Sequence, residues 1–388
     1  MRAAVHACMA AETPLIHERS ARFRRGSPPL FYRESSRLIR DLGVLALAVM
    51  ASDDTQRELR VLDAMSGTGV RALRYSSESG GTVHVHANEL MEGNHPLHDN
   101  LADAVANGRC TVTAEDATAL YHKARLSGSR YDLVDCDAFG TGQPHIAEAW
   151  WAVSTRGLLY LCATDSCTMA GHNPHKAVSG YAAVANALPA VNEQGLRLVV
   201  GASFREAAAR NLHAEPLFAF FHAPSSSFRI MMRLRRLKAP PAAAYANLAH
   251  LGRCTGCGQL WKVPSMQLGQ LASLRPCLCG RCGEPAAKAV AEAEAAAAGA
   301  VAAEAAAGVA EARATAGGAA AAQAAAAMAG VEVETEQAAG GVVVEADGGV
   351  EAAALMERLS TQELTVHGPM WVGPMHDLAF VSRMREEA

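Results

Sequence analysis

No apolar run in this 388-residue chain approaches the roughly 20 residues that a membrane-spanning helix needs, and no hydrophobic segment of the secretory kind follows Met1. That sets aside a membrane span and export, and the expectation is a soluble, intracellular protein. An excess of either charge is missing too. With 35 Lys and Arg against 39 Asp and Glu, the formal net charge is -4, which excludes a wholesale polycation. Nucleic acid stays open as a partner, because local basic clusters can do that work. Two such clusters exist: Arg19, Arg22, Arg24 and Arg25 near the start, and Arg233, Arg235, Arg236 and Lys238 in mid-chain. Each reads equally as a solvated charged face. A dispersed cysteine framework is also lacking, since five of the ten cysteines (Cys254, Cys257, Cys277, Cys279, Cys282) crowd into one short segment. Such crowding favours metal in a reducing compartment, whether nucleus, cytosol or organelle, over a disulfide scaffold.

At this length two domains plus an irregular segment are expected. Residues 1–30 contain arginines but also Glu12 and Glu18, and read as an extension, either disordered or targeting. After an apolar helix over Leu38 to Met50, strands and helices alternate. Strands are expected at Leu59–Met65, Thr82–Asn88, Cys110–Ala114, Tyr131–Asp137 and Gly157–Thr164, with helices at Gly69–Ser77, Glu92–Asn107 and Pro144–Val153. Two further strands, Glu215–Ala223 and Phe228–Leu237, flank a Pro/Ser turn and give an antiparallel finish. Such alternation implies an α/β domain, 31–238, with a mostly parallel sheet and helices on both faces. A cysteine module follows at 239–285, then an Ala/Gly/Glu-rich insertion at 286–351 with no apolar face to bury, and a remainder at 352–388.

The stretch YDLVDCDAFGTG, Tyr131 to Gly142, delivers Asp137 and Phe139 into a glycine-bounded loop at a strand end. Ligands of open α/β sheets sit beyond the carboxyl ends of the strands, so an acid and an aromatic there can grip a flat, amine-bearing ring. The first strand–helix turn, VLDAMSGTGVRALRY (Val61 to Tyr75), ends a strand at Asp63 and passes through Gly67 and Gly69, letting main-chain amides approach a cofactor. Glu89, twenty positions beyond Gly69, is placed for ribose hydroxyls. The alternative is a glycine turn chosen only for tight packing. Ala72 stands where the dinucleotide fingerprint has its third glycine, and together with the acid loop this favours S-adenosylmethionine over a nicotinamide. Cys254 and Cys257, then Cys279 and Cys282, form two CxxC knuckles separated by residues 258 to 278, a spacing that suits a closed, structural zinc site, with Cys277 as a spare ligand. His145, His172 and His175 read as polar loop residues before they read as bases, and Trp371 as a core anchor before a stacking platform.

In order, the chain carries FYRESSRLIRDLGVLA (Phe31 to Ala46), the glycine turn, ANEL (Ala87 to Leu90), AEDA (Ala114 to Ala117), DCDAFGTGQP (Asp135 to Pro144), GLLYLCATD (Gly157 to Asp165), NEQGLRLVVG (Asn192 to Gly201) and GPMWVGPMHD (from Gly368). This set resembles the tRNA guanine-N2 dimethyltransferase family, whose members methylate the amino group of guanosine 26 in tRNA with S-adenosylmethionine. The resemblance implies a doubly wound, mostly parallel seven-stranded methyltransferase sheet with a small zinc-ribbon-containing C-terminal domain, and tRNA as partner with no obligate protein partner. It implies that Arg40 and Arg71 hold the methionine end of the cofactor, that Glu89 takes the ribose where the family usually has Asp, that Asp116 faces the adenine and that Asp137 is catalytic. Bland alternatives stand beside these: ion pairs for Arg40 and Arg71, a helix cap for Asp116. Ala138 and Gly142 replace prolines common in the family, which predicts a less stiff loop. With the short stretch after GPMWVGPMHD, they motivate a second reading, a catalytically impaired zinc-ribbon RNA-binding protein on a methyltransferase fold.

Overall fold

The computed structural model describes residues 13–27, 29–91, 96–235, 242–254, 258, 260–264 and 364–388. The chain divides into two units, residues 1–250 with 367–388, and residues 251–366. Twelve strands are described: β1 (Leu15–Glu18), β2 (Ala21–Arg24), β3 (Leu59–Asp63), β4 (Val83–Asn88), β5 (Cys110–Thr113), β6 (Tyr131–Cys136), β7 (Val153–Ala163), β8 (His213–His222), β9 (Ser227–Arg235), β10 (Leu248–Cys254), β11 (Leu260–Pro264) and β12 (Leu364–Trp371). The described α-helices are α1 (Arg37–Asp53), α2 (Val70–Glu78), α3 (Leu97–Ala106), α4 (Ala117–Ser127), α5 (His145–Glu148), α6 (Ser166–Met169), α7 (Pro174–Tyr181), α8 (Val191–Ala209), α9 (Ala242–Tyr245) and α10 (Leu378–Glu386).

Seven strands form one sheet in the order β5-β4-β3-β6-β7-β9-β8. The first five are parallel, and β9 runs antiparallel to both β7 and β8. Every residue of β6 is buried, as a central strand covered on both faces requires. One helix layer has α1 packed on α2 and α10, with α2 on α3; the other has α4 on α5 and α5 on α8. Between the first layer and the sheet lies the main core, with Leu47, Val61, Tyr75, Val85, Leu133 and Tyr160 buried. The remaining strands form a hairpin, β1-β2, and a three-stranded sheet in the order β11-β10-β12.

Two expectations about chain organisation need correcting. Residues 15–24 are not a detached extension: β1 and β2 pair antiparallel, bury Ala21 and Phe23, and present Glu18, 1% exposed, to Arg40 and Arg74. The in-out alternation spans only four residues per strand, too few to stand out in sequence. The end of the chain also belongs elsewhere, because residues 367–388 group with the α/β unit. There Phe380 and Met384, one helical turn apart on α10, join the core that contains Val44 and Leu47. The expected helix over Pro144–Val153 is instead the short α5 followed by a 3₁₀ turn over Ala149–Trp151, and Val153 already begins β7. The insertion at 286–351 and three of the expected zinc ligands, Cys257, Cys279 and Cys282, lie outside the described residues, as does the side chain of the fourth, Cys254, which closes β10.

Candidate active site

Asp63, Ala87 and Asp135 are register neighbours, so the carboxyl ends of β3, β4 and β6 stand side by side. One residue past β6 is Asp137, with a side chain 30% exposed at the rim of this edge. Its two oxygens are held by different arginines. Arg71, on the first turn of α2, gives Oδ2 its Nη2 at 2.7 Å and its Nε at 3.2 Å, while Arg229, on β9, reaches Oδ1 at 2.8 Å. Arg71 also donates to Asp135 Oδ2 at 3.0 Å, which Tyr75 shares through its hydroxyl at 2.7 Å. Burial alone would raise the pKa of Asp137; the Arg229 and Arg71 guanidiniums overcome it and hold the group far below the usual carboxylate range.

Its two acidic neighbours behave in the opposite way. Asp63 and Asp135 are buried, and burial pushes both carboxyls up, with Asp135 adding to the effect on Asp63. Neither oxygen of Asp63, nor Oδ1 of Asp135, has a hydrogen-bond partner among the described residues. The Ser66 hydroxyl goes instead to the main-chain oxygen of Asp63, at 3.1 Å.

The glycine turn that precedes α2 is built as its sequence requires. Gly67 and Gly69 have φ of +54° and +81°, which a side chain rarely tolerates, and the space beside the Gly67 Cα is open. Glu89 accepts the Gly67 N–H at 2.9 Å, bringing two expected cofactor residues together. Asn88, just before it, stitches neighbouring strand ends: its amide donates to the carbonyls of Ala64 and Glu115, and its oxygen accepts from Thr113 and Glu115 N.

Beyond Asp137 the loop exposes Phe139, 72% accessible, edge-on to Phe31, 57% accessible, with ring centroids 5.1 Å apart. Arg33 lies 5.3 Å from the Phe31 ring. The expected looseness of this loop is not what its bonding gives. Gly140 N donates to Thr164 Oγ1 at 2.7 Å, Thr164 N returns a bond to Gly140 O at 2.8 Å, and Tyr181 takes Thr141 Oγ1 and Gly142 N. Gly142 is itself a tight fit, since an added Cβ would stand 2.9 Å from Ile146 Cδ1.

The structure therefore gathers Asp137, Phe139 and Arg71 with Asp63, Gly67, Gly69 and Glu89 at one edge. Two expected cofactor residues are engaged elsewhere. Arg40 is buried in a two-pronged ion pair with Glu18, at 2.7 and 2.5 Å, and donates to Arg33 O at 2.9 Å. Asp116 caps α4, accepting from Ala119 N at 3.0 Å, and is exposed. Burial lowers the pKa of His145, which is hydrogen-bonded to Tyr121, while Trp371 is buried with its Nε1 on Pro374 O. Sequence reasoning missed Arg229, Asp135 and Phe31. An acid inside a largely apolar strand is the signal that marks Asp135, one it shares with Asp132, because a buried charge needs a partner.

A mostly parallel seven-stranded sheet with one reversed strand, and a glycine turn beside an acidic loop at its carboxyl edge, define a methyltransferase-like α/β protein. A family model described as N2,N2-dimethylguanosine tRNA methyltransferase matches residues 13–304, and the chain belongs to that family. It is similar to the tRNA (guanine(26)-N(2))-dimethyltransferase of Pyrobaculum calidifontis, at 35% identity over 50% of this chain and 53% of that protein. The counterpart in Pyrobaculum neutrophilum is 29% identical over 67% of this chain and 69% of that protein. The chain thus spans about half the length of the first of these curated relatives. Trm1 from Pyrococcus horikoshii, solved in complex with S-adenosyl-L-methionine, shares the fold with a TM-score of 0.61 at 18% identity, over 96% of this chain and 77% of that one.

Proposed function

We propose that this protein is a tRNA (guanine(26)-N2)-dimethyltransferase that moves methyl groups from S-adenosyl-L-methionine to the exocyclic N2 of a guanosine in tRNA. The observation that carries the reading is the doubly clamped, ionised Asp137 beside the exposed Phe139 and Phe31, at the carboxyl edge of a methyltransferase-like sheet. Family membership supports the substrate.

The residues present fit the cofactor. Open space at Gly67 admits a close approach of the main chain, and Glu89 stands at the end of β4 for the ribose. Three acidic side chains (Asp63, Asp135, Asp137) and two guanidiniums (Arg71, Arg229) line this edge, a polar wall for the charged end of such a ligand. When bound, S-adenosylmethionine supplies an activated methyl on its sulfonium. The protein's part is to aim the base and exclude water.

Guanine presents N1–H and N2–H donors on one edge, and a carboxylate anchored at the back can accept from both. The Phe139 and Phe31 rings offer the apolar face against which such a base stacks, which offsets part of the few kcal/mol needed to flip it from the RNA. Nitrogen gains positive charge as its bond to the methyl carbon forms, and the ionised Asp137 stabilises that charge. Held so far below the usual range, this carboxylate is a feeble base. The amine proton therefore leaves to water.

The two CxxC knuckles support a structural zinc held by Cys254, Cys257, Cys279 and Cys282 in a reducing compartment. No metal-binding group of side chains occurs among the described residues. Incubating purified protein with unmodified tRNA and methyl-labelled cofactor, followed by nucleoside analysis, tests the main reading. Label in N2-methylated guanosine from position 26 is the expected result; cofactor binding without label in guanosine would overturn it and favour the impaired RNA-binding protein.

A further inference from the structure

Arg229 sits third on β9, opposite Cys162 of β7 and Phe220 of β8, and is 4% exposed. A guanidinium inside a sheet must be compensated, since the desolvation of an unpaired charge exceeds what the fold tolerates. Its described partners are two: Asp137 Oδ1 at 2.8 Å and Ser227 Oγ at 3.2 Å. Arg71 is divided between Asp135 and Asp137 Oδ2, so Oδ1 of Asp137 depends on Arg229.

Behind Arg229 runs a chain of hydrogen bonds. Arg229 Nε–H donates to Ser227 Oγ; Ser227 stands 2.7 Å from Ser225 Oγ, and Ser225 stands 2.6 Å from His222 Nδ1. Burial and the Arg229 charge lower the pKa of His222, and its ring meets the main chain of Ser35. With Nδ1 as acceptor, each hydroxyl donates outward in turn. Ser227, the link that meets Arg229, is fully buried, and Ser225 is half-buried in the turn.

Building on the function proposed above, we propose that Arg229 is a positioning residue for methyl transfer, fixing the aim of Asp137 through Oδ1 while the Ser227–Ser225–His222 chain fixes Arg229. The turn between β8 and β9 thereby becomes part of the active site. Because Arg71 has two carboxylates to serve, Arg229 is the arginine dedicated to the one that meets the base.

Three variants test this, read by steady-state kinetics, cofactor calorimetry and acid unfolding. Arg229→Gln should lower kcat on the order of 10²-fold by releasing Asp137 from its aim, with the cofactor Kd held within about twofold. Arg229→Lys keeps the charge and should restore part of the loss. Ser227→Ala leaves both charges and should give a smaller fall in kcat with the fold intact. The groups facing Asp137 are Asp63, Arg71, Asp135, Cys136, Tyr160, Cys162 and Arg229, so losing Arg229 leaves Arg71 as its one cation among them. The Asp137 carboxyl should then titrate higher, moving the acid limb of the kcat profile and the acid-unfolding midpoint to higher pH. A folded Arg229→Gln protein with unchanged kcat and an unmoved acid limb overturns the proposal, as does an equal loss in cofactor affinity and kcat. If the parent transfers no methyl to tRNA, the proposed function fails instead; the acid-unfolding shift then decides the Asp137 clamp alone.

Discussion

Replacing Glu18 by alanine removes one carboxylate that serves four donors on three side chains. Oε1 accepts from Arg40 Nε at 2.7 Å and Arg74 Nη1 at 3.0 Å; Oε2 accepts from Arg40 Nη2 at 2.5 Å and the Tyr32 hydroxyl at 2.9 Å. Arg74 would keep Asp41 and Glu78, so its loss is partial. Arg40, 6% exposed, would keep only Arg33 O among these partners, as a buried cation without a counter-charge. Breaking a buried pair from one side costs about 3–5 kcal/mol. For a unit of this size each kcal/mol shifts Tm by roughly 2 °C or slightly more, so the expected drop is about 6–10 °C.

The pH dependence makes the test specific. Burial would raise Glu18, but the Arg40 hydrogen bonds and charge, with Tyr32 and Arg74, lower it below its usual value. A depressed carboxyl contributes stability that is present above its unfolded pKa, near 4.3, and is lost as pH falls through the folded value. Calorimetry of parent and Glu18→Ala across pH 7 to 3 should therefore show the gap in stability narrowing below the usual glutamate range. A loss under about 1 kcal/mol at pH 7, typical of an exposed pair, refutes the network as a source of stability. A gap independent of pH refutes its electrostatic origin. The outcome bears on the whole chain, because this carboxylate ties the β1-β2 hairpin to α1 and α2.

Asp137→Asn keeps the shape of the side chain but removes its charge, and kcat should fall on the order of 10²- to 10³-fold with tRNA affinity nearly unchanged, as gel-shift titration would reveal. Asp63→Asn acts on a carboxyl that burial raises well above the usual range. The sign is opposite to Glu18: a raised acid stabilises fully below its unfolded pKa and loses that contribution as pH rises toward the folded value, so denaturant titrations should find the variant gaining on the parent from pH 5 to 8. Elemental analysis should return one zinc per chain, falling on Cys279→Ser; an equal metal content in that variant removes the cysteine from the ligand set.

The sequence is most legible where backbone demands are local. Gly67 and Gly69 announce a tight turn because φ is positive at both, and the apolar run ending at Cys136 announces a covered strand. The acid and aromatic of the loop are visible for the same reason, one step past that run. What stays hidden depends on pairing across distance. Arg40 reads from its motif as a cofactor arm, yet the partner that occupies it, Glu18, is 22 residues away on an inconspicuous hairpin. Asp116 shows the reverse, a residue whose local alternative, the helix cap, is the contact it makes.

Strand direction explains why Arg229 in particular escapes a motif search. In the parallel part of the sheet, functional groups gather after the carboxyl ends of strands, and the glycine turn and the acid loop both lie there. β9 runs the other way, pairing Phe228 with Ala163, the last residue of β7. Its beginning, not its end, therefore reaches the edge where β6 delivers Asp137. A residue at the start of a late strand carries no βα signature, and the first of the three arginines in SFRIMMRLR reads as one more basic position beside Arg233 and Arg235. Burial removes that reading, since Arg229 is as enclosed as the apolar residues around it. The antiparallel finish of the sheet is thus more than an edge: it brings to Asp137 a second cation, on the oxygen that Arg71 of the crossover helix α2 leaves to it.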